Sequence, residues 1–251
     1  MYRSGNPALN DSTFEKSAYK EVSWWEDSES NLMSMNGVVD KTALLLTIVT
    51  LTAIAVYLTV PISLFLSLLG AIVGFVVALI IIFSGSMNPI LICTYAACQG
   101  LFLGGITWII EYQYNAPGLG IVAAVLTFLI LGVMLSIYRA GLISWNKNMQ
   151  IAVTSSMVAI LLIYLVSFIG SFVGFEVPLI HGNGAVGIAF SVFVVGIASL
   201  CLVADFDFIE RGVERGAPKQ LEWRAAFGLL VTLIWLYLEI LKLLAKLASR
   251  R

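Results

Sequence analysis

Long apolar runs separated by short polar stretches make up most of the chain after residue 40. Six of these runs are each close to the roughly 20 residues that a helix needs to cross a bilayer. Prolines lie at the edges of the runs, where a missing backbone amide hydrogen costs least. The pattern predicts six transmembrane helices, at about residues 42–60, 62–83, 90–110, 119–138, 149–173 and 186–204.

A seventh apolar segment, at about residues 225–246, has a different pattern. Its uncharged stretch ends after fourteen residues, at Glu239, and Lys242 and Lys246 follow. A stretch of about 10–14 apolar residues is more typical of a buried or re-entrant helix, and a carboxylate that faces hydrocarbon is costly. We therefore predict an all-α integral membrane protein, a seven-helix bundle with the short last helix in the centre.

Polar residues with scattered charges fill the start of the chain, up to Asp40. This part lacks the basic start, apolar run and small-residue cleavage site of a secretory signal peptide. We predict a mobile cytoplasmic tail over residues 1–40 and a single transmembrane domain over residues 41–251.

Lys and Arg residues are concentrated in two of the predicted loops. The fourth-to-fifth and sixth-to-seventh connections carry them, whereas the first-to-second, third-to-fourth and fifth-to-sixth connections have none. The positive-inside rule then places the N-terminus in the cytoplasm and His181 outside, in a multi-pass protein of the cell (plasma) membrane. Seven full crossings would leave the basic end KLLAKLASRR outside, so either the seventh segment is re-entrant or the rule does not hold there.

Composition agrees with a membrane environment and argues against several functions. Hydrophobic residues make up 60% of the chain and charged residues 12%, so the lipid bilayer is the expected partner. A net charge of -1 argues against nucleic acid as a partner. One His, three cysteines inside apolar runs and the lack of a Gly-rich phosphate loop leave little for a zinc site, a disulfide framework or a nucleotide. We predict no enzymatic activity and no cofactor.

Pairs of glycines one helical turn apart occur in GAIVG, GLFLG and GSFVG, within or at the end of three apolar runs. Small residues at this spacing allow close helix contact in lipid, although such pairs also arise by chance. An unpaired amide is costly in lipid, so we expect Gln99 of the third run to face inward.

Acidic residues in the last two apolar segments are the candidate chemistry. Asp205 and Asp207 are two residues apart, and at about 100° per residue they point to opposite sides of a helix. Only one of them can face the bundle, and we expect this to be Asp205. Glu239 lies within a turn of Lys242 and two turns of Lys246, a spacing that allows ion pairs.

Two such acids brought together would form a proton-sensitive element. A buried carboxyl resists ionisation, a neighbouring cation favours it, and two adjacent carboxyls tend to share a proton. Ionised, Asp205 and Glu239 would repel each other and could transiently bind Ca²⁺, which prefers oxygen ligands. This chemistry suits a pH-gated cation pathway, and the alternative is a structural polar contact that orients two helices.

At these acids the chain resembles the Bax inhibitor family, also called the transmembrane Bax inhibitor motif family, and in particular its bacterial branch. The family pattern Asp-x-x-x-Ile matches DFDFI from Asp205 to Ile209, and the pattern Leu-Tyr-Leu-Asp matches LYLE from Leu236 to Glu239. The resemblance implies a seven-helix fold with a central last helix. It also implies a Ca²⁺ leak that is gated by protonation of facing acids, here Asp205 and Glu239.

Three features depart from the family pattern. Glu239 replaces an aspartate, Asp207 adds a third acid that could compete for the pairing, and residues 62–83 lack the basic partner that some members use in the closed state. If the last hairpin turns at residues 216–218, straight helices would leave the two paired acids about 15 Å out of register. They meet only if the turn lies nearer Glu222, or if a helix is broken or tilted.

Two functions follow from this comparison. The first is a pH-sensitive calcium leak channel of the bacterial inner membrane, with Asp205 and Glu239 as the gate and Asp207, Lys242 and Gln99 as additional candidates. The alternative is a non-conducting membrane protein that binds and modulates a membrane protease or stress-response partner. In that case the polar tail is the expected contact.

Overall fold

Seven α-helices make up the protein in a computed structural model that describes residues 31–59, 64–172, 174, 182 and 184–250. All seven are long and apolar enough to cross a membrane, which confirms the predicted all-α membrane fold. Apart from one isolated β-bridge, the described residues form no strand. The helices are α1 Met35–Leu58, α2 Leu64–Ser84, α3 Pro89–Gln113, α4 Leu119–Arg139, α5 Lys147–Ser171, α6 Ala185–Glu214 and α7 Leu221–Ala248.

Helix α1 begins earlier than the apolar run that predicts it. Ser34 caps the helix, because its hydroxyl accepts a hydrogen bond of 3.0 Å from the Gly37 backbone N–H. Residues 35–40, which we assigned to the tail, therefore belong to α1. Residues 1–30 of the predicted tail, and the external His181, lie outside the described part of the chain.

Helix α6 is 30 residues long and continues to Glu214, ten residues beyond the predicted span. Asp205 and Asp207 are therefore internal positions of the helix rather than residues at its end. In the last ten residues of α6, Asp207 forms an ion pair with Arg211 one turn further on, and this pair compensates both charges.

Helix α7 is 28 residues long, so the predicted short last helix is wrong in its length. The helix extends past both ends of the uncharged stretch. It can do so because its buried acids form ion pairs, Glu222 with Lys41 and Glu239 with Lys242. Of its most apolar window of 18 residues, 61% are buried, against 22% for α1 and 17% for α4 and α5. The window of α7 is therefore the most buried of the seven, and its central position stays a prediction.

The chain divides into two compact units. The first comprises residues 1–109 and 205–231, and the second comprises residues 110–204 and 232–251. Helices α3, α6 and α7 each contribute residues to both units.

In the first unit, small residues let α3 pack closely against α1 and α2. A Cβ added at Gly104 would overlap the backbone carbonyl of Ala53 in α1, and one at Gly70 in α2 would lie 2.6 Å from the Cys98 carbonyl oxygen. The Ser67 hydroxyl also donates a hydrogen bond of 3.1 Å to the Phe102 carbonyl oxygen. The motifs GAIVG and GLFLG thus serve helix packing, as their spacing allows.

In the third glycine motif, GSFVG, Gly170 is buried in α5 whereas Gly174 lies beyond the end of that helix. A Cβ at Gly174 would meet nothing within 4 Å among the described residues, and the residue has a positive φ of 74°. This glycine suits the end of a helix rather than a helix interface, because its backbone adopts the left-handed region freely.

In the second unit, α5 and α6 share an apolar core. Val153 and Ile160 of α5 pack with Val194, Ile197 and Cys201 of α6. All three cysteines are free thiols, in agreement with the sequence, and Cys201 contacts the sulfur of Met157 across this interface. Tyr164 and Trp235 border the same core and lead from it to a buried carboxylate on α7.

Candidate functional site

Asp205 lies on α6 and is completely buried, with 0% of its surface exposed. Its immediate neighbours Ala204 and Phe206 are buried as well. The Oδ2 atom accepts no hydrogen bond from the described residues, although the residue takes part in another interaction. A buried carboxyl within a membrane-spanning helix is a candidate for a functional role.

Asp207 has a different environment on the same helix. Its side chain is 17% exposed and its Oδ2 accepts a hydrogen bond from Arg211. Asp205 is thus buried while Asp207 is partly exposed, in line with the angular spacing, which points the two acids to opposite sides. The predicted competition of Asp207 for the acid pair is disfavoured, since its carboxylate is already paired with Arg211.

Glu239 lies on α7, with only 2% of its surface exposed, and three side chains donate hydrogen bonds to it. The Tyr164 hydroxyl donates to Oε2 at 2.8 Å. The Trp235 indole N–H donates to Oε1 at 3.2 Å, and the Lys242 ammonium donates to the same oxygen at 3.0 Å. The predicted ion pair between Glu239 and Lys242 is therefore formed.

The groups that contact Glu239 are all hydrogen-bond donors, and one of them is a cation. Tyr164, Trp235 and Lys242 together surround both carboxyl oxygens. The Lys242 ammonium also lies 4.6 Å from the centre of the Tyr164 ring, a favourable cation–π arrangement. Glu239 is thus held in place by side chains of two helices, with Lys242 as its ion-pair partner.

Lys246 does not form the ion pair with Glu239 that its spacing allows. Its ammonium instead donates to the Gly187 carbonyl oxygen and to the Ser191 hydroxyl, both at 2.9 Å. Lys246 is itself buried, so these oxygen acceptors on α6 replace the water that its charge loses. The outcome is a helix contact rather than a second cation at Glu239.

Asp205 belongs to the first unit and Glu239 to the second. Helix α6 ends at Glu214 and α7 begins at Leu221, and both helices are unbroken at the two acids. The turn therefore lies before Glu222, at residues 215–220. Direct pairing of the two acids stays a prediction.

Gln99 is the remaining candidate, and it lies on α3. Gln99 is half-buried, and a Cβ on Gly74 would lie 3.2 Å from its side-chain nitrogen. Among the described residues, no group of three or more His, Cys, Asp or Glu side chains is arranged to hold a metal ion.

Several functional contacts were missed by the sequence reasoning. Trp235 is four residues before Glu239, so the helical repeat places both on one face and offered a signal. Tyr164 is 75 residues away in sequence, and nothing in the apolar pattern of its helix indicates the contact. Glu222 is completely buried and bonded to residues near the N-terminus, a long-range contact with no sequence signature.

These observations define a class, a helical multi-pass membrane protein with buried carboxyl groups on its last two helices. Residues 6–249 match the protein family described as Bax inhibitor 1 like. Because the match covers nearly the whole chain, this protein belongs to that family. A search of curated proteins found no match.

Proposed function

We propose that the protein is a pH-sensitive leak pathway for calcium or a similar cation, gated by protonation of Asp205 with Glu239 as the second acid. The observation that carries the proposal is the complete burial of Asp205 within a membrane-spanning helix. Family membership supports it, since the resemblance implies a Ca²⁺ leak gated by acids at these two positions.

Protonation of a buried acid changes both charge and hydrogen bonding at once. An ionised carboxyl that leaves water costs several kcal/mol or more unless it is compensated, so the protonation state of Asp205 biases how tightly α6 packs. A neutral Asp205 favours the closed packing. Ionisation of Asp205 favours a hydrated, open arrangement that a cation can enter.

Glu239 is the second acid of the proposed gate, and its carboxyl already has partners. It accepts hydrogen bonds from Tyr164, Trp235 and Lys242. A permeating cation that reaches Glu239 has to compete with the Lys242 ammonium for Oε1. We assign proton sensing first to Asp205, because it is completely buried within α6.

The first experiment is Ca²⁺ entry into dye-loaded proteoliposomes across about pH 6 to 8, a range that a buried carboxyl can reach. Asp205→Asn removes the titration and is expected to abolish the pH dependence of flux. The matched control is Glu214→Gln, because Glu214 is an exposed acid at the end of the same helix. Identical pH curves for wild type and Asp205→Asn would overturn the proposal.

A second candidate function is the non-conducting protein that modulates a membrane protease or stress-response partner. One observation favours this function: the residues just before α1 are hydrogen-bonded to the turn between α6 and α7. A partner that binds the tail would therefore pull on that turn. Deleting residues 1–30 tests the role of the tail in partner binding. The deletion leaves Asn31, Ser34 and Gly37 and their contacts in place, so any loss of partner capture is due to the tail alone. Partner capture that is unaffected by this deletion would exclude the tail.

The orientation of the chain is also proposed. We place the N-terminus in the cytoplasm of a cell with this protein in its plasma membrane, because the basic loops at Arg139 to Lys147 and at Arg211 to Lys219 then lie inside.

A further inference from the structure

The four residues Asn31 to Ser34, which we name the strap, lie along the turn between α6 and α7. The Lys219 backbone N–H donates to the Asn31 carbonyl oxygen at 2.8 Å, and the Met33 N–H donates to the Ala217 carbonyl oxygen at 2.6 Å. Leu32 thus faces Pro218 in an antiparallel β-bridge. Two backbone segments far apart in sequence are joined at this point.

Glu222, in the first turn of α7, holds the C-terminal end of the strap. Its Oε1 accepts hydrogen bonds from the Ser34 backbone N–H at 2.9 Å and from the Ser34 hydroxyl at 3.1 Å. Its Oε2 forms an ion pair with Lys41 of α1. The carboxyl is completely buried, so these donors replace all the water that it would otherwise bind.

The surroundings are shaped to fit this carboxylate. A Cβ on Gly37 would overlap the Glu222 carboxyl group, so only glycine leaves the space. Glu222 lies near the N-terminal ends of both α1 and α7, where the helix dipole favours a negative charge. The Lys41 ammonium also lies 5.5 Å from the centre of the Trp223 ring. The contact is therefore supported from two helices.

We propose that the strap, closed by Glu222 and Lys41, restrains the α6–α7 turn and thereby resists the movement of α6 that opens the leak. Asp205 lies nine residues before the end of α6 at Glu214, and the strap bonds begin three residues after that end, at Ala217. A shift of this end of α6 must carry the strap with it or break its bonds. The effect on flux rests on the proposed function, whereas the closed strap itself does not.

The strap is built to open without unfolding a helix. Leu32 and Ser34 are exposed, and only Met33 is buried, at 3% exposure. Opening therefore exposes one apolar side chain and the Glu222 carboxylate, and leaves α1 to begin at the same place. Two discrete states separated by a few contacts are the condition for a conformational switch.

The closed state is tested by the labelling rate of Met33→Cys with a water-soluble maleimide, in full-length protein whose three native cysteines are replaced. Labelling requires opening, so its rate reports the open population. Losing the charge-assisted bonds through Glu222→Gln or Lys41→Met is expected to raise this rate about tenfold. Glu214→Gln, an exposed acid outside the contact, is expected to leave the rate unchanged.

Equal labelling rates in Met33→Cys alone and in its combinations with Glu222→Gln, Lys41→Met and Glu214→Gln would refute the closed strap. Retained helicity and an unchanged elution volume for Glu222→Gln separate opening of the strap from failure to fold. If Glu222→Gln fails to fold, the labelling rate of Lys41→Met tests the strap by itself. Lys41 is partly exposed, with 19% of its side chain accessible, so its replacement is less disruptive to folding.

The restraint is tested by locking the strap with a disulfide between Leu32→Cys and Pro218→Cys. These residues form a non-hydrogen-bonded antiparallel pair, whose Cα atoms lie about 4.5 Å apart, within the range for disulfides. We expect oxidation to lower Ca²⁺ flux at least fivefold and reduction to restore it. Equal flux in both states would overturn the restraint. No flux in the wild type at any pH would refute the proposed leak instead, and the labelling rates would then decide the strap alone.

Discussion

At the scale of single residues, the buried acids of the last two helices have different surroundings. Asp205 is flanked by the buried Ala204 and Phe206 of α6. Glu239 accepts hydrogen bonds from three side chains, whereas Glu222 is bonded to Ser34 and Lys41. Burial alone therefore does not define the role of an acid.

The Tyr164 hydroxyl is expected to stabilise the protein through its bond to Glu239. Tyr164→Phe leaves one oxygen of a buried carboxylate without that donor, and we expect a loss of about 1 to 2 kcal/mol. Thermal unfolding in detergent measures the loss. The control is Tyr114→Phe, since Tyr114 is only half-buried and lies outside this contact. An unfolding midpoint equal to that of the control would contradict the contact.

The ion pair of Lys242 with Glu239 should appear in a double-mutant cycle. Lys242→Met alone leaves a buried charge less compensated, and Glu239→Gln alone leaves a cation that still reaches water, since the Lys242 side chain is 42% exposed. Because of that exposure, we expect a coupling of only about 1 kcal/mol. Additive effects of the two substitutions on the free energy of unfolding would show that the pair is not stabilising.

At the scale of helices, close packing of α3 on α1 depends on glycine. Gly104→Ala introduces a Cβ that overlaps the Ala53 carbonyl, and we expect a loss of about 1 to 3 kcal/mol from the forced separation of the helices. Gly132→Ala in α4 is the matched control, because its Cβ meets nothing within 4 Å. Alanine favours a helix, so the control should be neutral or stabilising. Equal effects of the two substitutions on unfolding in detergent would refute the packing argument.

At the scale of the whole molecule, the number of crossings decides the side of each terminus. The 28 residues of α7 extend about 42 Å at 1.5 Å per residue, more than the roughly 30 Å of a hydrocarbon core. We therefore predict seven complete crossings, with the termini on opposite sides. Labelling Ser249→Cys and an N-terminal tag with an impermeant reagent checks this in cells. Termini on the same side would indicate a re-entrant α7.

Much of the fold was predictable because it follows from short-range properties of the chain. A bilayer requires about 20 apolar residues per helix, and six such runs are plain in the sequence. The spacing of GLFLG predicted close contact, and the spacing of Glu239 and Lys242 predicted an ion pair, since helical geometry sets both. The length of α7 was predicted wrongly, because partners for its charges come from other helices.

The sequence by itself determined the class of protein, the number of helices, the opposite directions of Asp205 and Asp207, and the family. These follow from hydropathy, helical periodicity and local motifs. Only the tertiary structure decided that Tyr164 and Trp235 hold Glu239, that Lys246 bonds to α6, and that Glu222 closes the strap. Side chains distant in sequence become neighbours only through packing, and their hydrogen bonds determine which buried charges the fold can keep.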